Sequence, residues 1–78
     1  MLACKGIRVS SSRRVGDGSH LKLELEEDGI TRGAIGFGLG EKDPGVDTLV
    51  DVVFAPMLNE WRGRTSVELG LKRISKVN

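Results

Sequence analysis

The chain has 78 residues, a net charge of +1 and one cysteine, Cys4. This is one small domain, residues 1–78, with a marginal core; an intrachain disulfide is excluded, and Cys4 with the lone His20 is too small a ligand set for structural zinc. No apolar run approaches the roughly 20 residues of a membrane span, and Met1-Leu2-Ala3-Cys4 turns polar at Lys5 before a signal-peptide core forms, so a reduced, cytoplasmic setting without a membrane partner is expected.

The hydrophobic period is two almost throughout, which predicts strands. Ile7 and Val9 continue in phase to Val15, predicting a long, bent first strand. Gly16-Asp17-Gly18-Ser19 turns the chain into the second, where Leu21, Leu23 and Leu25 alternate with Lys22, Glu24 and Glu26. Asp28-Gly29 is a hairpin signal. It leads to a third strand around Ala34–Gly38, with Ile35 and Phe37 expected to face the core. Pro44-Gly45 forbids regular strand, and Val50, Val52 and Phe54 share the inner face of a fourth. Asn59 to Gly63 is expected as the next turn, before a fifth strand with Val67, Leu69 and Leu71 inside. Lys76-Val77-Asn78 is expected as a frayed tail. Five short strands with regular turns predict an all-β fold: a small, five-stranded, partly open, OB-like barrel.

Charge is unevenly placed. Residues 1–22 carry +4, residues 23–52 carry −6 and residues 53–78 carry +3. If the basic ends adjoin, they make one face suited to phosphate. The candidate nucleic-acid-binding residues are Asn59, Trp61, Arg62, Arg64, Lys72 and Lys22. Trp61 is the only tryptophan; it is either a loop aromatic covering the open barrel end or, beside guanidinium groups, a base-stacking platform next to phosphate contacts. Arg62, Arg64 and Lys72 share strand parity and make an outward basic row that also holds Glu68. His20 reads as a turn-capping or packing residue. Arg13 and Arg14 are consecutive, so only one of them faces a given groove. Gly36-Phe37-Gly38-Leu39-Gly40 lacks the GxGxxG spacing of a dinucleotide site.

No catalytic constellation is present. Glu26-Glu27-Asp28 mimics a metal cluster, but successive strand side chains point to opposite faces and do not converge. It reads as solvated turn charge.

Five blocks in order carry a family resemblance: Val15-Gly16, His20-Leu21-Lys22-Leu23, Ala34-Ile35-Gly36-Phe37-Gly38, Val50-Asp51-Val52-Val53-Phe54 and Asn59-Glu60-Trp61-Arg62-Gly63. From about Val15 to Ile74 the chain resembles the C-terminal, OB-like domain of the RecJ family of single-stranded-DNA-specific exonucleases. The resemblance implies a domain that holds single-stranded DNA weakly for a nuclease core degrading it 5′ to 3′ in recombination and repair. The family's Asp-His-His signature is absent, so this chain is expected to be no enzyme and to carry no cofactor. The implied parent enzyme uses Mg2+ or Mn2+, and its missing catalytic domains are the implied partners. Glu24 and Glu26 stand where family members often place basic residues. The competing expectation is a structural or protein-interaction module without autonomous nucleic-acid binding.

Overall fold

The computed structural model describes residues 1–77, with the backbone alone at Trp61. Strands β1 (Leu2–Val15), β2 (His20–Glu27), β3 (Ile30–Gly36), β4 (Leu49–Trp61) and β5 (Arg64–Lys76) form a closed barrel in the order β1-β2-β3-β5-β4. A single 3-10 turn, Gly40–Lys42, lies between β3 and β4. Every pairing is antiparallel except β3 with β5. The ring therefore closes where a partly open barrel was expected. The closing seam is short, with Ala34 opposite Leu69 and Ile35 opposite Gly70.

The alternation of β2 survives folding unchanged. Leu21, Leu23 and Leu25 are at most 1 % exposed and fill the barrel. Around them pack Ile7, Val9, Val50, Val52, Leu69, Leu71 and Ile74. Burying each such side chain contributes about 1.5–3 kcal/mol before entropy is counted.

β3 inverts the expected phase. Ala34 is fully buried, whereas Ile35 is half-buried on the outside and Phe37 is 63 % exposed beyond the strand end. Register explains it. Leu23 faces Ala34 and Leu21 faces Gly36. The leucines of β2 already fill a five-stranded interior, so only small residues fit opposite them. Phe54, expected inside, packs against the core but is only partly buried.

Two bulges bend β1, one between Cys4 and Ile7 and one between Val9 and Ser11. The second resets parity, because a bulge inserts one unpaired residue. Ile7 and Val9 point inward, but Arg13 pairs with the outward Lys22 and Val15 with His20. Val15 is therefore not in phase with Val9. A further bulge in β5 at Lys72 shifts the inward set from Leu71 to Ile74.

The fourth turn is shorter than expected. Asn59, Glu60 and Trp61 belong to β4, opposite Ser66, Thr65 and Arg64. Only Arg62 (φ 50°) and Gly63 (φ 77°) turn the chain, the left-handed pair of a tight type I′ hairpin. From Ala55 onward β4 has lost its β1 neighbour, since β1 begins with Leu2 opposite Phe54. The β4–β5 hairpin thus projects beyond the barrel. Of the expected frayed tail, Lys76 and Val77 are tied to β4, and Asn78 lies outside the described residues. Lys76 pairs with Val50, and the Val77 amide donates to the Leu49 carbonyl at 3.0 Å.

Candidate nucleic-acid interface

The outward residues of β1, β2 and β3 form one face. Arg13, Lys22 and Ile35 lie in one row across it, and Ser11, Glu24 and Gly33 in the next. At the end near the β1–β2 turn stand His20 and Phe37. Their rings meet edge to face at 5.4 Å and 75°, a favourable quadrupolar arrangement. His20 Nδ1 also accepts a hydrogen bond from the Gly38 amide at 3.0 Å. That bond fixes the ring and the start of the β3–β4 connector, which agrees with a capping and packing role for His20. Lys72 belongs to this end as well. It stands two residues past Gly70, as Phe37 stands two past Gly70's partner Ile35.

The turn between β1 and β2 is held locally. Asp17 Oδ1 accepts from the Ser19 amide at 3.1 Å, and the hydrogen bonds from Ser19 hold its carboxyl below the ordinary value. The turn and the connector flank a polar cleft of about 400 Å³ that includes Ser19, Gly38 and Lys42.

Of the six expected site residues, two are joined through a third group. Glu68 lies over Gly33 and accepts from Lys22 Nζ at 2.9 Å and from the Asn59 side-chain amide. Lys22 is therefore already ion-paired, and Asn59 is turned toward β5 rather than toward solvent. The hydrogen bond from Lys22 holds the Glu68 carboxyl below its usual value, against a smaller opposing effect of burial. Arg62 and Arg64 are exposed at the hairpin tip. Lys72 is eight residues along β5 from Arg64, about 26 Å at 3.3 Å per residue. The expected basic row is thus split, with Glu68 between its ends. Trp61 closes β4, and its side chain lies outside the described residues.

Glu68 gives a pH-dependent prediction. A carboxyl depressed on folding stabilises above its unfolded value, here near 4.5, and loses that effect as pH falls through the lower folded value. Glu68→Gln should therefore lower the thermal midpoint at pH 7, and the gap to the parent should close as pH falls from 4.5 through the lower folded value. Melting curves from pH 7 to 3 check this. A constant gap would mean that charge on Glu68 contributes nothing.

In the acidic run Glu26-Glu27-Asp28, Glu26 and Glu27 turn to different partners. Glu26 accepts from Arg8 at 2.8 Å, and Glu27 lies 3.6 Å from the Cys4 thiol. Burial first, and then Glu27, push that thiol up. Among the described residues, no three His, Cys, Asp or Glu side chains gather as a metal site.

A family model, the RecJ OB domain, matches residues 1–73. The chain belongs to the RecJ OB domain family. The match is to the OB domain and not to a nuclease catalytic domain. No curated protein sequence matches the chain. In this RecJ OB domain Phe37 stands outside, although its parity with Ile35 predicts a core position. The signal was present in its flanks. Gly36 and Gly38 leave an aromatic side chain without bulky neighbours along the strand, and Leu23 across from Ala34 already filled the interior.

Proposed function

We propose that this RecJ OB domain binds single-stranded DNA, with little base preference, as an accessory to a 5′-to-3′ nuclease. The observation that carries the reading is Phe37. Its aromatic ring is 63 % exposed and braced edge to face by His20, which leaves one π-face open for a base to stack on. It stands on the outer face of the β2–β3 sheet, the side on which OB folds take oligonucleotides. His20 steadies it, and Arg13, Lys22 and Lys72 surround that end of the face.

A base stacks on Phe37, and phosphates run from Lys72 toward the hairpin tip, where Arg64 and Arg62 extend the positive track. The path of about 26 Å suits a few nucleotides, within the roughly 4–16 that one OB fold covers. Trp61 adds a second stacking group in this proposal. The strand must displace Glu68 from Lys22, and Glu24 remains exposed on the same face. Binding is therefore weak, micromolar or weaker. With few phosphates neutralised, log affinity should fall by only about 2–4 per unit of log salt.

Phe37→Ala should cost about 1–3 kcal/mol of binding and leave the salt slope unchanged, because stacking releases no counterions. Lys72→Ala and Arg64→Ala should each reduce that slope by up to about one. Fluorescence anisotropy of a labelled oligothymidylate at several salt concentrations reads both effects. A domain that binds no single strand at low salt, or binds fully after Phe37→Ala, overturns the assignment.

A further inference from the structure

A second feature lies at the other end of β2, about 23 Å from His20. There a cleft of about 410 Å³ opens between β3 and β5. Phe54, Pro56 and Leu69 line it, and Ile30 and Val67 form its lips, 57 % and 49 % exposed. Leu58, 74 % exposed, continues the apolar surface along the projecting hairpin, two residues beyond Pro56 on the same face of β4. A chain this small gains stability from every buried apolar group, so leaving three such side chains in water demands a cause.

The backbone supplies one. Residues 30–33 of β3 pair with β2, and residues 64–68 of β5 pair with β4. Among the described residues, β3 and β5 pair with each other only at Ala34–Leu69 and Ile35–Gly70. Two strand edges therefore diverge around the cleft, outside any ladder between them. Such an edge is a template for another strand. Added strands take their affinity from main-chain hydrogen bonds and their specificity from pockets for alternate side chains.

Charge narrows the occupant. Glu27 and Asp28 stand at the cleft against one base, Arg32. Two carboxylates against one guanidinium leave the lining net negative, which disfavours phosphate and favours lysine or arginine. We propose that this cleft docks an extended peptide segment of a protein partner by strand addition. The segment places apolar side chains at alternate positions in the cleft and carries basic residues that meet Glu27 and Asp28. The surface is separate from the Phe37 face, and the inference stands whether or not that face binds DNA.

The test is selection from a random decapeptide display library on the immobilised 78-residue chain, followed by titration of the synthetic consensus peptide. Selected peptides should alternate apolar residues and contain lysine or arginine. Ile30→Lys and Val67→Lys should each weaken the consensus peptide at least about tenfold, about 1.4 kcal/mol, since each puts a charge where the peptide's apolar side chains must be desolvated and adds a cation facing its basic residues. Both side chains are half-exposed, so the variants should retain the parent's circular dichroism. Peptide binding should also slow amide exchange at residues 30–33 and 64–68. A single-stranded oligonucleotide should not compete. Three outcomes overturn the proposal: no enrichment, or only acidic peptides; binding that survives both lip substitutions; or a parent chain that sediments as a dimer dissolved by them, which would make a second copy the occupant.

Discussion

Leu23→Ala is expected to lower the unfolding free energy by about 2–5 kcal/mol, the cost of truncating a closely packed leucine. The side chain is 1 % exposed at the centre of the barrel, directly across from Ala34. For a domain of this size the loss is a large share of the total, which for folded proteins is about 5–15 kcal/mol. Ala34→Leu should destabilise as well, by about 1–3 kcal/mol, through overpacking. Joined in one chain, the two substitutions exchange a large and a small residue across one cross-strand pair and conserve core volume. The double variant should therefore be more stable than the sum of the single losses predicts. Urea titration of the four proteins measures the coupling. Strict additivity would mean that Leu23 and Ala34 do not share a cavity, and the inverted phase of β3 would be wrong.

Gly40→Ala should cost about 3 kcal/mol or more, the upper end of the overpacking range. A Cβ added at Gly40 would lie 1.9 Å from the carbonyl oxygen of Gly18. The obstruction is main chain, so no rotamer change relieves it. The Gly40 amide also donates to the Ser19 carbonyl at 2.9 Å, and the clash must separate these partners. This contact ties the β3–β4 connector to the β1–β2 turn and seats Leu39 against the core. It also positions Gly38, whose amide holds His20, and so the Phe37 ring. Gly40→Ala should therefore weaken single-strand binding although it removes no charge and no aromatic group. Urea unfolding and oligonucleotide anisotropy on the same protein check the two effects. Full stability would show that the connector can swing away from the turn without loss.

The strands legible in the sequence were those whose two faces differ. From His20 to Glu26 in β2 every inward position is leucine and every outward one is charged or histidine, so neither tertiary contact nor register was needed to orient it. The Arg62-Gly63 turn was mis-sized because Asn59 and Trp61 carry turn-like or loop-like chemistry yet accept extended backbone when a partner strand lies opposite. The candidate site was less legible. Lys22 is legible as an outward strand residue and Asn59 as a turn residue, but Glu68, which joins them, is 46 residues from Lys22 in the chain.

The amino-acid sequence by itself determined the all-β class, the number of strands, the family and the leucine face of the core. The class, the strand count and the leucine face follow from period-two patterning and turn chemistry, which act between near neighbours; the family follows from the order and spacing of the matching blocks. Tertiary structure alone decided which face β3 turns inward, because that depends on the volume already filled by β2. It decided where β1 and β5 change phase, because one bulged residue reverses every side chain after it. It also decided that Phe37 stands in solvent against His20, that Glu68 holds Lys22, and that β3 and β5 part around an apolar cleft. Each of these is a meeting of residues far apart in the chain, set by packing and strand register, and no local pattern encodes it.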